Sequence, residues 1–192
     1  MDRMFQRVSC FGVLVLALPM AARATPVFSI EAVTSGANSV GSYASLRVDP
    51  TNHLVVTYYD ATNGDLRLAT LDGSWSFSTI DAVRDAGRYG GLAIDASGHR
   101  NVSYYDATDG ALKYSGWISR PWSTAVDTVA RGADDLGRHA SASIDDAGRP
   151  VVAYYDSTVR TLLYAVRNGT WSASAVDGGH DVGKYASLRV DR

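Results

Sequence analysis

Apolar and polar residues alternate along this chain with a period of two, and turns interrupt the alternation at short, regular intervals. In residues 54–59, Val56 and Tyr58 point to one side while Val55, Thr57 and Tyr59 point to the other. A period of two is the mark of a β-strand. Both faces here are largely apolar or aromatic, so both are expected to be covered. No stretch after residue 24 keeps a helical period, so the expectation is an all-β protein.

The turns have a chemistry of their own. Asp49, Asp60, Asp95, Asp106, Asp145 and Asp156 each close an apolar run, as in Asp95-Ala-Ser-Gly98 and Asp60-Ala-Thr-Asn-Gly64. Asp accepts hydrogen bonds from its own backbone and Gly tolerates positive φ, which suits hairpins. These six aspartates recur unit after unit, whereas a catalytic group is needed once. They are therefore expected to be structural turn caps.

The pattern repeats. GSYASLRVD (41–49), GRYGGLAID (87–95), GRHASASID (137–145) and GKYASLRVD (183–191) align without gaps. So do VVTYYDATNGDL (55–66), VSYYDATDGAL (102–112) and VAYYDSTVRTL (152–162). SWSFSTIDA (74–82), PWSTAVDT (121–128) and TWSASAVDG (170–178) form a third set, which puts Trp75, Trp122 and Trp171 in one register. All 11 tyrosines fall in the repeat register. Each unit therefore contains four short strands, at 41–82, 87–128 and 137–178. Residues 27–33 read as an orphan outer strand and residues 183–192 as an orphan inner strand.

Four consecutive strands in a unit of this length, covered on both faces, resemble the blades of secreted β-propeller proteins, a group that includes propeller lectins and sialidase-like propellers. The resemblance lies in unit length, strand count and the Tyr/Trp/Asp-turn register. The sialidase Asp-box is absent: its nearest counterpart, Ser143-Ile-Asp145-Asp-Ala-Gly148, has another spacing. The resemblance implies a propeller of three complete four-stranded blades with a spare strand at each end, an incomplete or oligomer-closed ring. Rings of this kind usually have ~4–8 blades. The expectation is thus a fragment of a longer array or a chain that closes by self-association through open strand edges, with the first favoured.

Residues 1–24 change the picture of where the protein works. Arg3 and Arg7 precede an apolar run, and Ala22-Arg23-Ala24 resembles a cleavage site, the three-part pattern of a signal peptide. The run is too short to span a membrane, which takes ~20 apolar residues. The expected location is secreted, periplasmic or extracellular, with the repeat region at 25–192. The only cysteine, Cys10, falls within the leader, so no disulfide is expected to staple the domain. A formal charge of -2 with no basic block excludes the electrostatic footprint of a nucleic-acid binder.

Candidate chemistry is sparse. No nucleophile motif, phosphate loop or metal-ligand spacing appears, so no catalytic residue, cofactor or metal is assigned. His180-Asp181 and Asp134-Asp135 could contribute to a cation site, with solvated loop polars as the plainer reading. Asn101 and Asn168 begin glycosylation-type triplets. The loops entering each inner strand carry Arg88-Tyr89, Arg138-His139 and Lys184-Tyr185, and a basic group beside an aromatic suits a hydroxylated or acidic glycan. Trp117 occurs in one unit only. These seven residues are the ligand-binding candidates; fixing the register between units is the alternative role for the loop residues. The function expected is an exported, non-catalytic module that binds a carbohydrate or cell-surface ligand. The alternatives are a fragment of a glycan-active hydrolase or lyase, or a protein-interaction scaffold.

Overall fold

The most apolar runs, 54–60, 100–106 and 150–156, form strands that are buried almost throughout. A computed structural model describes residues 31–34, 38–117, 124–132 and 135–191. The chain divides into Met1–Glu31 and Ala32–Arg192, and all the strands belong to the second unit. The expected signal peptide and residues 27–30 lie outside the described residues, as do Ile118 to Ser123 and Asp134.

Twelve strands form three antiparallel sheets of four, each in simple sequential order. The first sheet is β1 (Val40–Val48), β2 (Leu54–Asp60), β3 (Asp65–Asp72) and β4 (Ser74–Asp81). The second is β5 (Ala86–Ile94), β6 (Arg100–Asp106), β7 (Ala111–Trp117) and β8 (Thr124–Ala130). The third is β9 (Leu136–Ile144), β10 (Pro150–Asp156), β11 (Thr161–Asn168) and β12 (Thr170–Asp177). No helix occurs among the described residues. The first strands of the sheets lie beside one another, and β4 and β12 face solvent along most of their length.

The core sits between sheets. Val55, Leu66 and Leu68 of the first sheet pack against Leu92, Val102 and Tyr104 of the second. Leu112 of the second meets Val152, Tyr154 and Ala165 of the third. The second strands thus serve different junctions with their two faces: Val102, Tyr104, Val152 and Tyr154 look back to the preceding sheet, while Val55 and Tyr59 look forward. This is why those strands are apolar on both sides.

The turn aspartates act locally. Asp49, Asp95 and Asp145 each accept backbone N–H groups two and four residues on. Asp60, Asp106 and Asp156 do the same two and three residues on.

One alignment from the sequence is corrected. Matching Asp127 to Asp81 put the extra residues of the second unit in the connection to the third. The strand pairing instead sets Leu112 opposite Ala130, where Leu66 stands opposite Asp81. The extra length therefore falls mainly between β7 and β8. The reason is packing: Val129 and Ala130 join the apolar contact with the third sheet, while Asp127 pairs with Arg167 at 3.0 Å.

Residues 183–191 occupy the place of a further first strand, yet they have no strand pairing. The Leu188 N–H donates to Ser141 Oγ at 3.0 Å, as the Leu92 N–H does to Ser45 Oγ at 3.3 Å. Side-by-side packing is repeated there, but among the described residues no second strand completes the ladder.

Candidate ligand-binding face

The first strand of every unit begins Gly-x-aromatic, and the backbone there is left-handed. Tyr43, Tyr89, His139 and Tyr185 have φ of 55, 54, 54 and 57°. A non-glycine residue at such φ costs roughly 1–2 kcal/mol. The glycines two residues earlier also have positive φ, and the pairing of β1, β5 and β9 shifts register across this stretch. The bulge turns each ring away from the pleat and towards the neighbouring unit's equivalent ring.

The result is a continuous arc of four rings. Tyr43 and Tyr89 have centroids 4.5 Å apart, Tyr89 and His139 4.6 Å, and His139 and Tyr185 4.2 Å. Together with Ala44, Gly90, Ala140 and Ala186 they line an open groove of about 190 Å³. Tyr185 is 82% exposed and Tyr43 40%. Burial above all, and then the positive charges of Arg138 and Lys184, hold the His139 imidazole below its ordinary pKa. The His139 ring is therefore held towards its neutral form.

Behind the rings, the basic partners take a different path. The Tyr59 hydroxyl donates to Asp85 Oδ1 at 2.6 Å, Arg88 donates to the same carboxylate at 2.5 Å, and the Arg88 guanidinium lies 5.5 Å over the Tyr59 ring. The next junction repeats this with Tyr105, Asp135 and Arg138. The last uses Tyr155, Asp181 and Lys184, with contacts of 2.6 and 2.7 Å. Each set joins the second strand of one unit to the entry of the next. Burial first, then the hydrogen bond to Asp135, pushes the Tyr105 phenol up to about 12.

The seven candidates therefore divide. Tyr89, His139 and Tyr185 come together in the arc, joined by Tyr43. Arg88, Arg138 and Lys184 are held in the clasps. The backbone of Trp117 ends β7, but its side chain lies outside the described residues. Asp135 and Asp181 are also clasp members. Among the described residues no group of three or more His, Cys, Asp or Glu is arranged to hold a metal ion. Asn101 is buried, whereas Asn168 is exposed at the end of β11. Sequence reasoning missed Tyr43, although it stands in register with Tyr89 and Tyr185. The loop carrying it has Ser42 where the other units have Arg or Lys, so the basic–aromatic pattern passed over it.

The fold, with its three four-stranded antiparallel sheets around an unclosed ring, is of the β-propeller type. Among solved structures it is similar to AofleA from Arthrobotrys oligospora, with a TM-score of 0.56 and 16% identity over 76% of this chain and 46% of that one. A mutant of AofleA with three arginines replaced by alanine gives 0.55 and 17% identity, over 74% and 44%. The fungal lectin of Aleuria aurantia, described as a six-bladed β-propeller with a novel mode of fucose recognition, gives 0.46 and 18%, over 65% and 40%. This chain spans less than half the length of these structures. No known protein family and no curated protein matches the sequence.

Proposed function

We propose that this chain is an exported, non-catalytic glycan-binding module whose sugar platform is the arc of Tyr43, Tyr89, His139 and Tyr185. One observation carries the reading: four equivalent rings are held in a costly left-handed backbone so that they line one open groove. Apolar ring faces with a few hydroxyls nearby suit the mixed character of a sugar. Repeated shallow contacts gain from multivalency on a glycan carrying several copies of the same residue. The leader-like residues 1–24 support export.

A glycan array followed by titration calorimetry tests this. Binding of neutral sugars to the chain, weakened at least tenfold in Tyr89→Ala with β-sheet content unchanged, is the expected result. No binding across the array would sink the reading.

The open edges favour a second feature. β4 and β12 are edge strands with few buried side chains, and Phe77 is exposed on β4. Edges of this kind pair readily with other chains. Self-association would appear as concentration-dependent sedimentation, and a single monomeric species at every concentration would rule it out.

A further inference from the structure

Four residues after the aromatic position, each inner strand presents another equivalent site, and here the repeats differ. Arg47, Ala93, Ser143 and Arg189 occupy it in turn. These four line one cavity of about 390 Å³, with Ile94 and Ile144 among its walls. The two middle copies are small and the two outer ones are arginines, so the small residues leave room between two guanidinium groups.

Among the described residues no carboxylate lines this cavity. Asp49, Asp95 and Asp145, which follow the same strands, accept the N–H groups of their own turns. Arg47 Nη1 donates to the Leu46 carbonyl at 2.7 Å and Arg189 Nη1 to the Leu188 carbonyl at 3.0 Å. These bonds tie both heads to their own backbone and occupy one of five donors on each. Burial, and then the like charge of Arg189, hold Arg47 below its ordinary pKa. Two cations sharing a pocket without a counter-charge gain from an anion between them. A planar guanidinium also meets an oxyanion in a bidentate fork.

We propose that Arg47 and Arg189, with the Ser143 hydroxyl, form a binding site for an oxyanion: a carboxylate, sulfate or phosphate group. The site does not depend on the aromatic arc. Its ligand is either a free inorganic anion or the acidic group of a sugar.

Titration calorimetry of the full chain at low ionic strength, with sodium sulfate, sodium phosphate, sodium glucuronate and glucose, tests the assignment. Binding of sulfate, phosphate or glucuronate is expected, and it should be unaffected by saturating glucose, which reads the aromatic arc only. Arg47→Gln and Arg189→Gln should each weaken it at least tenfold. Glucuronate alone would identify an acidic sugar as the ligand, and sulfate or phosphate alone a free inorganic anion. No binding of any of the three anions, or binding unchanged in both variants, overturns the proposal. A measurement on the unmodified protein guards against misfolded variants. Sulfate or glucuronate should protect Arg47 and Arg189 from phenylglyoxal, read by mass spectrometry, and equal labelling with and without anion also overturns it. Neutral sugars read the aromatic arc, so failure there and failure here are distinguishable.

Discussion

Tyr104 shows how much one hydroxyl does in the sheet junctions. Its ring is fully buried, and it donates to Asp81 Oδ2 of the preceding sheet at 2.6 Å. Burial first, and then that carboxylate, push its phenol well above the ordinary range. Tyr104→Phe keeps the ring but strips Oδ2 of the buried Asp81 of its donor, leaving the Val83 N–H on Oδ1. A loss of about 1–3 kcal/mol is expected in urea unfolding, since an abandoned buried acceptor bears its desolvation cost. Asp135 and His139 titrate in separate windows. Burial works against the Asp135 charge, but Tyr105, Arg138 and Ser157 outweigh it and hold the carboxyl below the usual range. Its folded pKa is depressed, so its contribution is complete above about 3.8 and fades as pH falls through the lower folded value. Asp135→Asn should flatten that acid limb. For His139 the unfolded chain takes the proton first, so stability falls as pH drops below about 6.5 and levels off under the folded value. His139→Tyr, which installs the residue of the other three copies, should abolish the dip in a pH series of thermal melts. A dip that persists would mean another group causes it.

At the scale of the strand, the entry glycines decide how closely two units approach. Gly137 has φ of 105°, and a Cβ there would lie 2.6 Å from Leu112 Cβ and 2.7 Å from its Cα. Gly87 meets Leu66, and Gly183 meets Leu162, in the same way. Gly148 also has positive φ, 74°, but nothing lies within 4 Å of its would-be Cβ. Gly148→Ala is therefore expected to cost only the backbone strain, about 1–2 kcal/mol. Gly137→Ala adds a clash with immobile backbone and should cost roughly 1–3 kcal/mol more. Equal losses for the two variants in chemical denaturation would contradict the close-packed junction. The strands themselves were readable from the alternation and the Asp–Gly turns. What the sequence could not show was the bulge: the copies of Gly-x-aromatic look like ordinary strand residues until neighbouring rings define their direction. The slip of β8 was hidden for a related reason. Asp127 matches its counterparts as a letter, while pairing follows which side chains reach the next sheet.

For the whole molecule, the sheets behave as a row in which each packs mainly on its neighbours. Stability in such an array is close to a sum of junction terms. Tyr104 stands in the first junction and Gly137 in the second. Their substitutions share no partner, so Tyr104→Phe combined with Gly137→Ala should equal the sum of the single losses within about 0.5 kcal/mol. A larger coupling would show that the second sheet transmits strain across itself. In the clasps Arg88, Arg138 and Lys184 each serve a junction; a cation next to an aromatic suits a junction as well as a sugar, and one sequence cannot tell which.

The sequence by itself determined the unit, its four strands, its capped turns and the stacking of apolar faces, because these follow from short-range periodicity and local hydrogen bonding. Only the tertiary structure decided the rest. It gathered four rings from residues 43 to 185 into one arc, turned the neighbouring cations into clasps, and set Arg47 and Arg189 at one cavity. Those relations join residues about a hundred and forty positions apart through the rotation from sheet to sheet. That rotation is fixed by glycine clearances and buried contacts between units, and no local pattern in the chain encodes it directly.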